Sequence, residues 1–188
     1  MNKKLSEIVE LNETERRALI VSVNDLSQEQ LDFKPSDDEW SIGEVLRHLS
    51  ILERRVSMLL GKKLQEATAA GLGPDLTEGS VLDCLDQFPI EVPDIKVRAP
   101  EQVKPEHGLE KQFLMDALTE SRGMLRCAID AISEVDLSKL TFPHPFFGEL
   151  NLYQWTLAVG KHEHRHCIQI DNIKTAAGYP VSSSATIA

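Results

Sequence analysis

The residues of this chain that could do chemistry together are gathered in one short run, Lys161-His162-Glu163-His164-Arg165-His166-Cys167-Ile168-Gln169, which holds half of its six histidines. On a helix, at about 100° per residue, His162 and His166 stand about 40° apart on successive turns, within reach of one metal ion. His164 then faces the far side. Trp155, Val159, Gln169, Ile170, Ile173 and Ala177 fall on the side of the pair, so the two imidazoles lie on an apolar stripe and need partners there. A shared metal would supply them; so would ordinary core hydrogen bonds, and the H-x-x-x-H spacing alone does not separate the two.

The same letters spell H-E-x-x-H, the zincin protease pattern in which two histidines hold zinc and the glutamate acts as general base. A zincin needs a third ligand, commonly downstream. After His166 the chain has no glutamate, and the glycine and histidine of the longer zincin motif are missing at their offsets. Any third ligand must therefore come from upstream. His48 is the candidate: it sits on the shoulder of an apolar helical stripe, where a lone histidine is equally a core or boundary residue, and the pair at His162 and His166 gives the ligand reading its weight.

Four amphipathic helices are predicted to position these residues. In the first, Leu5, Ile8, Leu11, Leu19, Val23 and Leu26 line one side at helical spacing, with Glu and Arg opposite. Ser27 and Gln30 form a capping box for a short turn that Lys34-Pro35 ends, because proline pushes its predecessor out of helical geometry. Ser41 and Glu44 form a second box, opening a helix that carries Val45, His48, Leu49, Leu52, Val56 and Leu59 to near Glu66. From Ala69 to Gly108 periodicity is lost apart from a turn or two around Ser80 to Phe88; Val97 to Pro100 and Val103 to Pro105 read as extended chain. So long a connector crosses a bundle or covers a site.

A third helix is predicted from about Leu109 to Ile132, with Arg122 and Arg126 on its solvated or paired shoulder. Thr141 to Gly148 is an aromatic, proline-stiffened loop that nearly excludes helix, with His144 either packing in the loop or approaching the histidine site. Asn151 or a neighbour caps the fourth helix, which carries the histidine run and stops near Gly178-Tyr-Pro180.

Composition sets outer bounds. A chain of 188 residues, 41% hydrophobic, supports one domain with a core, drawn here as residues 1–180 with a disordered tail at 181–188. A net charge of −10 works against nucleic acid, whose binding draws on Lys and Arg. No run approaches the ~18 apolar residues of a membrane helix, and the expectation is a cytoplasmic protein that binds neither nucleic acid nor membrane. Cys84, Cys127 and Cys167 are odd in number and lack C-x-x-C spacing, against a disulfide framework; Cys167 reads as a packing residue before a ligand.

The chain resembles the DinB-like superfamily. The resemblance rests on Lys34-Pro35 followed by Trp40 to Leu49, on Ala99-Pro100 and Pro105, on His144 to Leu150, and on His162-x-x-x-His166-x-x-Gln169. It implies an all-α four-helix bundle with a long connector between the second and third helices, and one divalent metal held by His48, His162 and His166. It does not carry one activity: some relatives are thiol-dependent S-transferases or isomerases.

Neutral imidazoles suit a divalent transition metal, zinc or nickel ahead of iron, and three protein ligands leave an open position. Glu44 and Gln169, each one turn from a ligand, could orient imidazole N–H groups, or be plain boundary residues. The resemblance, together with the lack of a side chain well placed as a general base for water, favours a thiol as nucleophile. The expected function is a metal-dependent thiol S-transferase, or a related metallohydrolase, acting on a small molecule, with a small thiol and an electrophile as partners and room for a homodimer. The alternative is a non-catalytic stress-related or dimeric interaction protein with a structural or vestigial metal site.

Overall fold

The computed structural model describes residues 2–88, 90 and 100–181. Four long helices form an all-α bundle: α1 (Lys3–Val23), α3 (Ile42–Ala69), α4 (Lys111–Ile132) and α5 (Leu152–Lys174), with a short α2 (Gln28–Asp32) between the first two. The capping boxes are formed as the sequence predicts. Ser27 with Gln30 opens α2, and Ser41 with Glu44 opens α3; a third box, Asn151 with Gln154, opens α5. In each, a side-chain oxygen takes a backbone N–H that the first helical turn leaves unpaired. Helix α3 packs chiefly along α4 and α1 along α5, while α3 also meets α5.

The loop predicted at Thr141 to Gly148 is instead a small antiparallel hairpin, β1 (Thr141–His144) with β2 (Gly148–Asn151), in the register Thr141↔Asn151 to His144↔Gly148. A two-stranded ribbon has only edges, so Pro143 removes no interior ladder bond, and Gly148 supplies the positive φ of +73° at the turn. Val103, expected in extended chain, closes a 3-10 turn over Glu101–Val103. Two further expectations lie wholly or partly outside the described residues: the extended run at 97–100, described only at Pro100, and the tail beyond residue 181.

The interior departs from the apolar stripes in one instructive way. Two hydrophobic clusters fill the bundle, one around Leu5, Ile8, Val56, Leu60, Leu125 and Leu157, the other around Leu19, Val45, Leu49, Leu114, Leu118 and Ile170. Between them lies a layer of buried charge, with Arg16 on α1, Glu53 on α3, Arg122 on α4 and Glu163 on α5. Arg16 bonds both Glu163 and Glu53, and Arg122 bonds Glu53 at 2.6 Å and Glu163 at 2.7 Å. Two guanidiniums and two carboxylates thus close a neutral ring, completed by the carbonyls of Leu118 and Asn12 and the hydroxyl of Ser121. Arg122, predicted on a shoulder, is buried because each of its three nitrogens finds an acceptor there.

Close approach of α1 and α5 explains the position of Gly160. A Cβ there would lie 2.8 Å from Leu11 Cδ2 and closer still to Asn12 Oδ1, so a larger residue would have to push both side-chain ends aside. This contact sets the rotation of α5. The line Thr156, Gly160, Glu163 and Ile170 faces the bundle interior, and the edge bearing His162 and His166 turns toward α3 and an open cleft.

Candidate metal centre

His48 is carried on the second turn of α3, held in register by the Ser41 and Glu44 cap, and α5 brings His162 and His166 against it. One nitrogen from each of the three imidazoles lies within 4.8 Å of the other two. The hydrogen bonds around them fix which nitrogens are available. His48 Nδ1 is 2.8 Å from the carbonyl of Val103, and His166 Nδ1 is 2.7 Å from Oε1 of Gln169. Both oxygens only accept, so both Nδ1 atoms carry protons and both Nε2 atoms keep their lone pairs.

His162 is the residue with no satisfied state. Its Nε2 lies 3.2 Å from Nε2 of His166, and its Nδ1 is buried without a hydrogen-bond partner. With the proton on Nδ1, that proton is orphaned and two lone pairs confront each other; with it on Nε2, the orphan is the Nδ1 lone pair. In that second state Nε2–H donates to His166 Nε2, so hydrogen bonding leaves His162 with one orphaned atom in either tautomer, and a cation among the three Nε2 atoms would relieve the facing lone pairs of the first.

Electrostatics prepare the ligating form. Burial lowers the pKa of His48, offset in part by its bond to Val103. Burial and then His48 bring His166 down to about 3. His162 falls well below its ordinary value through burial, His166 and His48 in turn. All three imidazoles are neutral at pH 7, as coordination requires. Three neutral nitrogen donors converging in a cleft fit a divalent transition metal with an open position.

Each of the other residues singled out in the sequence has a definite place. Glu163, the would-be zincin base, is 1% exposed and turned away into the ion ring with Arg16 and Arg122. His164 faces outward, with Nδ1 3.0 Å from Glu15. Cys167 packs in the second cluster, and burial pushes its thiol up to about 12. Glu44 lines the cleft, yet its carboxylate accepts the Ser41 N–H at 2.8 Å and lies 3.4 Å from Lys34 Nζ; among the described residues it bonds none of the three histidines. Gln169 does orient an imidazole.

Two contributors escaped reasoning from residue types. Trp40 covers the centre, its ring 4.9 Å from that of His48 and nearly parallel to that of His166 at 6.3 Å. Its place directly before a capping box was the available signal. The Val103 carbonyl left no signal at all, since every residue has one. His144 lines the same cleft, of about 1750 Å³, stacked on Phe147 at 4.5 Å and tilted on Trp155 at 4.8 Å.

With this geometry in place, comparison with known proteins gives a consistent picture. A family model described as the DinB superfamily matches residues 11–170. The chain is 32% identical over 156 residues to "Uncharacterized protein YuaE" of Bacillus subtilis (strain 168), a match covering 79% of this chain and 86% of that protein. Among solved structures it is similar to TT2238, described as a four-helix bundle protein, with a TM-score of 0.60 at 20% identity over 89% of this chain and 98% of the other.

Proposed function

This chain belongs to the DinB superfamily, and on that premise we propose that it is a metal-dependent enzyme that transfers a small thiol to an electrophilic small molecule, with His48, His162 and His166 as the ligands. A divalent transition metal held there supplies Lewis acidity and lowers the pKa of a thiol or water that reaches its open position. The rest of the work falls to the chain.

Val103 and Gln169 fix the tautomers of His48 and His166 and aim their Nε2 atoms. Trp40 covers one side of the His48 and His166 imidazoles.

The observation that carries the thiol reading is the lack of a base. Among the described residues no carboxylate bonds an imidazole of the cluster: Glu163 is locked in the ion ring and Glu44 in its cap. Water bound to such a metal, its pKa lowered from about 15.7 to about 7, would still hold part of its protons at neutral pH and would gain from such help. A thiol, at about 8.5 when free, would lose its proton on coordination alone. In the reaction the thiol proton passes to solvent, the sulfur lone pair forms the new S–C bond, and the bond from that carbon to its leaving group breaks, the group departing with the electrons.

The test is conjugation of small cellular thiols to 1-chloro-2,4-dinitrobenzene or monobromobimane by metal-loaded protein purified without a histidine tag. Chelation and His48→Ala should each abolish the catalysed rate. Turnover of esters or amides with no thiol effect would replace this reading by a metallohydrolase; a protein that takes up no transition metal would end both.

A further inference from the structure

The cleft extends well past the three histidines, and its two ends differ in charge and surface. Trp40, at the start of α3, stacks on His166 late in α5, while Lys63, late in α3, lies over Phe142 of the hairpin, whose carbonyl accepts the indole N–H of Trp155 early in α5. The two helices are therefore antiparallel along the cleft. Moving from the histidines toward the hairpin, Arg55 lies seven residues beyond His48, and Trp155 seven before His162. At 1.5 Å per residue each is about 10 Å away, the length of a small organic molecule.

The carboxylates that line the cleft, among the described residues, are Asp37, Asp38, Glu39, Glu44 and Glu101. The first four belong to the Trp40 end and Glu101 to the turn against His48. Among the described residues the hairpin end has none. There α3 presents Arg55 and Lys62, both exposed and lining the cleft, and among the described residues neither makes a hydrogen bond or ion pair. In a chain of net charge −10, with most of its other cations paired, two unpaired cations two turns apart on one wall are out of pattern.

The opposite wall is aromatic. His144 and Phe147 stack nearly parallel, at 8°, with Trp155 and Phe146 beside them, and Phe146 remains 51% exposed. His144 Nδ1 accepts the Phe146 N–H at 3.3 Å, which leaves Nε2 as the proton-bearing nitrogen. Burial lowers this imidazole to about 4, so it stays neutral and adds a donor without adding charge.

We propose that the hairpin end of the cleft is a substrate subsite for a planar, apolar group bearing an anionic substituent, with Phe146, Phe147 and Trp155 taking the plane and Arg55 and Lys62 the charge. Aromatic faces favour flat partners, and unpaired cations beside a low-dielectric wall favour an anion over its neutral isostere. The subsite deepens the proposed transferase reading by naming the class of electrophile, an aryl or conjugated acid, and rests on that reading only for which reactant sits there.

The experiment is titration calorimetry of the full chain, stripped of metal by chelation, with 2-naphthoate and with 2-naphthamide. Naphthoate should bind at least ten-fold more tightly than the amide. Arg55→Gln together with Lys62→Gln should bring naphthoate down to the level of the amide, and Phe146→Ala should weaken both probes alike. Equal affinities for the two probes, naphthoate binding indifferent to the double substitution, or no binding of either would each overturn the subsite. Because the titration needs no metal and no turnover, it can succeed or fail independently of the thiol-transfer assay.

Discussion

At the scale of single residues, the three imidazoles differ in how they are held. His48 and His166 each spend Nδ1–H on an oxygen, whereas Nδ1 of His162 has no acceptor. Removing any one of the three proposed ligands leaves two, so His48→Ala, His162→Ala and His166→Ala should each lose metal outright in elemental analysis of the purified protein. His164→Ala, on the outer face, should keep a full equivalent. Gln169→Ala keeps all three donors but frees the His166 ring, and metal affinity should fall by about 10-fold or more in competition with a chelator.

The depressed imidazole pKa values also have a sign. Between 6.5, the ordinary value, and about 3 for folded His166, the unfolded chain takes up a proton that the folded chain refuses. The contribution is therefore fully present above pH 6.5 and is lost as pH falls through that window, with a slope of up to about 1.4 kcal/mol per pH unit for each such histidine. Urea denaturation of metal-free protein from pH 7 to 5 should show it, and His166→Gln should reduce the slope by one histidine's share. An unchanged slope in the variant would remove His166 from the account.

At the scale of elements, Glu163 ties α5 to α1 and α4, as Glu53 ties α3 to the same two guanidiniums. Burial pushes the Glu163 carboxyl up, and Arg16 and Arg122 pull against it; burial likewise works against the Arg16 charge, which Glu163 and Glu53 outweigh. Removing one partner from such a ring leaves buried charge uncompensated, at a cost of about 3–5 kcal/mol. Glu163→Gln should lower the unfolding free energy by that order while the folded variant still binds one metal. Metal loss with stability unchanged would return Glu163 to the metal centre and revive the zincin reading. His162 and Glu163 are neighbours in sequence with separate work: one helix turns one toward the cleft and the other into the core.

At the scale of the molecule, the histidine cluster is a bridge between α3 and α5, helices that meet less extensively than α3 with α4 or α1 with α5. An ion held by both should stabilise the whole bundle. With free metal at about 100 times its Kd the gain is about 2.7 kcal/mol, readable as a rise in melting temperature that chelation reverses. His48→Ala, which cuts the bridge on the α3 side, should melt at the same temperature with and without metal. No described helix is long and apolar enough to cross a membrane.

Local chemistry was enough to define the helices and much of the site. Apolar residues at three and four apart, the boxes at Ser27, Ser41 and Asn151, and prolines at 35 and 180 act within a turn or two of chain, so the helices were legible from sequence to within a few residues. So was the pairing of His162 with His166, which needs only one helix. What joined them to His48 was decided elsewhere. No local rule says which face of α5 meets α3; that follows from Gly160, against which the Leu11 and Asn12 side chains of α1 pack closely, and from Glu163, which can be buried only where two arginines from other helices meet it. The polar gaps in the stripes, Arg16, Glu53, Arg122 and Glu163, stand in the sequence at core spacing, yet whether such a residue marks an exposed edge or a buried ring depends on partners far away in the chain. Val103 and Trp40 reach the histidines for the same reason: a carbonyl and a ring join the histidine cluster only through the tertiary contact that brings them there.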